Sequence, residues 1–118
     1  MLTDAGSITD SMLNRLGGCD VLLLEFNHDL ELLQQSNYPA HLKKRIQGTH
    51  GHLSNETSAQ ALAVLAHADL QHVVAAHLSE RNNTPSLVRL ALQAGSSAAS
   101  WTTSIADARL GTDWLQLN

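Results

Sequence analysis

The strongest constraint on the fold is a pair of nearly uninterrupted apolar runs, residues 21–26 and 70–78, each set among segments of helical periodicity. Runs this short and this apolar read as buried strands. Ile8, Met12, Leu13 and Leu16 recur at helical spacing and stop at Gly17-Gly18. Residues 28–33 predict a short helix, broken by Asn37-Tyr38-Pro39. Ser54 or Asn55 caps a helix whose apolar face is Ala59, Leu62, Leu65 and Ala66. Thr84-Pro85 is a cap followed by proline at the first helical position, and that helix ends at Gly95. Residues 96–100 read as a loop, and further strands are expected at 104–106 and 112–117. Strands and helices alternate along the chain, so the expected class is α/β, in one domain without repeats or linkers.

Composition narrows the chemistry. With 118 residues and 43% apolar content the chain is long enough for a real core, but only 3% aromatics means a core of Leu, Val and Ala. A formal charge of −4 gives no electrostatic footprint for nucleic acid, so a phosphate-bearing substrate calls for metal or a basic surface elsewhere. The lone Cys19 excludes an internal disulfide and points to a reducing, cytoplasmic setting. No apolar run approaches the roughly 20 residues of a membrane span, so no membrane partner is expected.

Polar residues that carry chemistry gather at or just beyond strand ends, where loops are held by a rigid frame. Asp4 follows what reads as the end of a strand. Glu25-Phe26-Asn27-His28-Asp29 closes the first apolar run, and His77-Leu78-Ser79-Glu80-Arg81-Asn82-Asn83 closes the second. Gly51-His52-Leu53-Ser54-Asn55 lies in a loop between them. Imidazole and carboxylate at the ends of buried strands suit zinc or manganese, whose ligands they commonly are. Taken singly, Asp4 is a turn former, His77 a half-buried residue bonded to backbone, and Glu25 an edge-exposed strand residue. His41, His67 and His72 have no evident partner, and the run Lys43-Lys44-Arg45 reads as a solvated helix face.

In order and spacing, Thr3-Asp4-Ala5-Gly6, Leu22-Leu23-Leu24-Glu25, Asn27-His28-Asp29, Gly51-His52-Leu53-Ser54-Asn55 and the string from His77 to Pro85 resemble the second half of metallo-β-lactamase-fold hydrolases. The likeness is to the WalJ/YycJ-like branch, and more distantly to tRNase Z, and it covers about three quarters of the chain before weakening after Gly95. What the resemblance implies is a four-layer αββα sandwich of which residues 1–118 would be the C-terminal half. It implies a metal-dependent phosphodiesterase or nuclease with two divalent ions, zinc or manganese. Asp4 matches the carboxylate that bridges the ions, and His77 the last metal-binding histidine. His52 matches a histidine beside the reacting phosphate, and Glu25 the acid that orients it. The roles of His28 and His50 stay open.

One departure is large. The His-x-His-x-Asp-His loop of this fold is absent, and His50-Gly51-His52 does not replace it, because no Asp-His follows and its place in the chain is wrong. Two ligands are fewer than the three of a catalytic zinc site. The expectation is therefore a fragment that is inactive alone and self-associates through an apolar sheet face its other half would cover. The alternatives are a hydrolase of a small cyclic phosphate or nucleotide, and a non-catalytic binding or assembly module.

Overall fold

A computed structural model of the chain describes residues 1–96 and 100–118. Its elements run α1 (Asp10–Leu16), β1 (Val21–Glu25), α2 (Leu30–Gln35), α3 (Ala40–Gln47), α4 (Asn55–Leu65), β2 (His72–Ala76), α5 (Pro85–Gly95) and β3 (Thr102–Ile105). The three strands form one parallel sheet in the order β1-β2-β3. Parallel neighbours need long crossovers, and here α2, α3 and α4 connect β1 to β2 while α5 connects β2 to β3. The class is α/β, as the alternation of elements predicts.

Local chemistry sets the boundaries. The Ser54 hydroxyl accepts from the Thr57 amide at the start of α4, and the Thr84 hydroxyl accepts from Leu87 at the start of α5, with Pro85 at the first helical position. Asp29 caps α2 through the Leu32 amide, so that helix begins at Leu30, two residues later than its periodicity suggests. The displaced His28 instead makes a backbone bridge to Ser54. Lys43, Lys44 and Arg45 lie on α3, which has no buried residue.

The core is aliphatic, as the low aromatic content requires. Leu22, Leu24 and Phe26 pack with Val73 and Ala75, with Leu62 and Leu65 of α4, and with Val88 and Leu92 of α5. Each large side chain so buried stabilises the fold by about 1.5–3 kcal/mol. Sheet coverage is nearly complete in β2, where only His72 is half-exposed, while β1 leaves Val21 and Leu23 half-covered.

The C-terminal expectations need correction. Residues 112–117 form no strand: Trp114 is fully exposed, and the Asn118 amide bonds to the side chain of Gln71 rather than to a ladder. The third strand lies two residues earlier than expected, at Thr102–Ile105, because the Thr102 amide pairs with Gln71 and sets the register against β2. Of the expected loop at 96–100, residues 97–99 lie outside the described residues. Among the described residues no helix is long and apolar enough to cross a membrane.

Candidate metal centre at the strand ends

Asp4, Glu25, His52 and His77 converge, each offering one ligand-type atom, with those atoms all within 4.8 Å of one another. Four separate stretches supply them. Leu2 pairs alongside Leu24 of β1, which delivers Asp4 just beyond the sheet edge. Glu25 is the last residue of β1, and His77 follows the last residue of β2. His52 comes from the loop between α3 and α4. The cluster therefore sits at the carboxyl ends of parallel strands, where open α/β sheets gather their ligands.

Backbone geometry at two of these residues is unusual. Asp4 has φ 55° and His77 has φ 61°, the only non-glycine residues with positive φ among those described. This left-handed conformation costs a non-glycine residue on the order of 1–2 kcal/mol and concentrates at functional sites. At both positions the chain leaves a strand end and turns a side chain toward Glu25.

Glu25 is the hub. It is completely buried, and its Oε1 accepts from His52 Nδ1 at 2.7 Å and from His77 Nδ1 at 2.8 Å. Its Oε2 takes the Leu53 amide at 3.3 Å. The Asp4 carboxylate, mostly exposed, stands 3.6 Å from His77 Nδ1 and 3.9 Å from His52 Nδ1. A buried carboxylate without partners would be very costly; here three donors and two rings able to carry charge compensate it. With Nδ1 of each ring turned to Glu25, Nε2 is the nitrogen that carries the free lone pair whenever the ring is neutral, the form that binds a metal or accepts a proton. The rings meet edge-on with centroids 5.2 Å apart.

The loop carrying His52 has no room to move. A Cβ on Gly6 would lie 2.2 Å from the Gly48 carbonyl oxygen, and one on Gly51 would lie 2.1 Å from that of Ile46. Those two glycines let residues 48–52 fold tightly under the Asp4 segment, and the His52 amide closes the turn onto the Ile46 carbonyl at 2.9 Å.

A layer of buried polar groups behind the cluster escaped the sequence reading. The Asn27 amide donates to the His77 carbonyl at 2.9 Å, holding the strained residue. Asn83 donates to the Phe26 carbonyl at 2.8 Å and exchanges two 2.9 Å bonds with Asn55. The Ser58 hydroxyl donates to the Glu25 carbonyl. Their sequence signal was the recurrence of Asn after strand ends, which marks turns just as readily. His28, left without a role above, is 1% exposed; its Nδ1 faces Asn27 Oδ1 at 3.2 Å and its Nε2 has no protein partner. Burial holds its pKa below the usual histidine value, His52 adds to that, and Glu25 and Asp29 oppose it.

The remaining histidines serve elsewhere or face solvent. His67 Nε2 meets the Cys19 carbonyl at 3.0 Å, and His72 bonds Thr102 through Nδ1 and the Gln116 carbonyl through Nε2 at 2.9 Å. His41 and His50 are exposed and outside the cluster.

Over 92 residues, 78% of the chain, the sequence is 36% identical to a protein named exodeoxyribonuclease YycJ from Bacillus anthracis. It is equally similar over the same length to one named exodeoxyribonuclease WalJ from Streptococcus pneumoniae serotype 2. The chain is a homologue of the WalJ/YycJ group. It spans about a third of the length of those curated relatives, 35% of the first and 34% of the second. No family model matches the chain, and no solved structure matches it.

Proposed function

We propose that this chain supplies part of the active site of a metal-dependent nuclease that hydrolyses phosphodiester bonds of DNA. The observation that carries the reading is the convergence of Asp4, Glu25, His52 and His77 within 4.8 Å at the sheet's carboxyl edge, in a homologue of proteins named exodeoxyribonucleases. In this reading residues 1–118 are the C-terminal half of an αββα sandwich, and further ligands come from sequence outside them.

The donor set fits a divalent ion. Carboxylate and neutral imidazole are ordinary ligands of zinc and manganese, and with Nδ1 of each ring bonded to Glu25 the neutral rings offer Nε2 as the ligand atom. Asp4 and His77 are the residues assigned to hold metal. When bound, a pair of such ions supplies activated water and neutralises charge on a phosphoryl oxygen. Asp4 and His77 are fewer than the three protein ligands of a catalytic zinc site, so the 118 residues alone are expected to be inactive.

His52 is assigned the proton. Glu25 fixes its tautomer and orientation from the buried side, which leaves Nε2 to exchange a proton with an oxygen at the phosphate. Glu25 is thus a positioning residue. It is also placed to position His77, through the same carboxylate oxygen.

The deciding experiment measures metal content and cleavage for the chain alone and for the chain joined to whatever its gene encodes upstream. A DNA oligonucleotide and a small cyclic phosphate serve as competing substrates. The expected result is about two ions and oligonucleotide cleavage in the longer form only. Cleavage by the 118 residues alone would overturn the half-site reading and make His28 and His50 candidate ligands. Preference for the cyclic phosphate would replace DNA as substrate, and metal-free, inactive protein in both forms would leave a binding module.

A further inference from the structure

We infer that the cavity walled by His28 beside His52 seats the nucleoside next to the scissile phosphate, with His28 Nε2 accepting a hydrogen bond from it. The inference rests on the proposed phosphodiesterase reading for what lies at His52, and on nothing about metal.

Volume and lining come first. The cavity holds about 500 Å³, within the range of small-molecule pockets. His28 and His52 share its wall with Leu30, Gln34, Gln47 and Thr57, and no Asp, Glu, Lys or Arg lines it. Amides, hydroxyls and an aliphatic side chain suit a neutral, flat group with its own donors and acceptors, and nothing there attracts a phosphate. The cavity on the other side of the cluster differs. It is bordered by His77, holds about 820 Å³, and is lined by Arg89, Arg109, Glu80 and Asp107. Asp107 is occupied by the amides of Arg109 and Leu110, and among the described residues neither arginine has an acidic partner within 4 Å. Each cavity takes one histidine of the cluster, and they share no residue. One side is uncharged and the other carries charges of both signs, so a neutral nucleoside suits the first better than a phosphate would.

His28 supplies the independent observation. The Asn27 amide nitrogen is committed to the His77 carbonyl, so Asn27 presents its carbonyl oxygen to His28 Nδ1, which must therefore carry the proton. Nε2 is left a buried acceptor with no partner, a state that costs about 1–3 kcal/mol until a donor arrives. The depressed pKa keeps the ring neutral and accepting near neutral pH. A base imino or amino group, or a sugar hydroxyl, is a donor of the right kind.

The test uses the 118-residue chain in the presence of a chelator, with thymidine and inorganic phosphate as separate probes and imidazole and amide NMR as readout. Thymidine is expected to shift the His28 Nε2 resonance and the Ser54 and Thr57 amides saturably, while phosphate leaves them unmoved. His28→Phe should weaken thymidine binding about tenfold, the worth of one hydrogen bond. Leu30→Glu, at a rim position 39% exposed and so safe for folding, should weaken it through charge and bulk. Thymidine that leaves His28 unmoved, binds equally well to both variants, or shifts only the arginine side overturns the proposal. Failure here with metal-dependent cleavage intact sinks the cavity assignment alone; saturable thymidine binding without metal or cleavage in any form sinks the hydrolase reading instead.

Discussion

At the level of single residues, the cluster is a balance between a buried charge and two strained turns. His77 holds a left-handed φ that glycine would adopt freely. His77→Gly therefore removes a strain of roughly 1–2 kcal/mol while deleting one partner of Glu25. In the chain joined to its upstream sequence, the expected outcome is a thermal midpoint within a few degrees of the parent together with much weaker divalent-metal binding, read by calorimetry and isothermal titration. A collapse of the midpoint would mean that the His77–Glu25 bond, not metal binding, is what the strained turn serves. The four cluster residues were legible in the sequence because each stands in a recognisable string, at or just beyond a strand end for Asp4, Glu25 and His77 and in a loop for His52. The shared oxygen was not: the sequence paired Glu25 with His52 alone, and its bond to His77 depends on the register of β1 against β2. The asparagine layer was equally hidden, because Asn27 reaches the His77 carbonyl, and Asn55 pairs with Asn83, only after the strands are in place.

Elements came through well where local chemistry is strong and poorly where it is weak. β1 and β2 were marked by their apolar runs, and α4 and α5 by their caps. The tail at 112–117 has apolar residues but pairs with no strand, although β3 is an edge strand, and alternation alone cannot report that. The element that positions His52 is the tight loop closing α3. Gly51→Ala would place a methyl group 2.1 Å from the Ile46 carbonyl oxygen, so the loop must open. The expected result is a stability loss of several kcal/mol by denaturant titration, in the upper range for point mutations. Loss of the His52–Glu25 bond should accompany it, seen in the imidazole NMR spectrum. An unchanged His52 signal in the variant would mean that the loop tolerates rearrangement and that Glu25, rather than the glycine, fixes the histidine.

For the molecule as a whole, pH is the lever that global stability should answer to. His28 titrates below its usual value in the folded chain, so the unfolded chain takes up a proton first as pH falls. Its contribution to stability is thus full above about pH 6.5 and is lost as pH drops through the lower folded value. The groups around it are His52, Glu25 and Asp29. Urea midpoints measured from pH 7.5 down to pH 5 should fall, and His28→Phe should flatten that slope; a parallel slope in the variant would assign the effect to other groups. Asp4, Glu25, His52 and His77 are spread across two thirds of the sequence, so no early local structure can assemble them. Their contacts are of long sequence separation, the kind that closes last and slows folding. The two Glu25–histidine bonds should consequently form late in folding, and the cluster would serve as a built-in indicator that every part of the chain has reached its place.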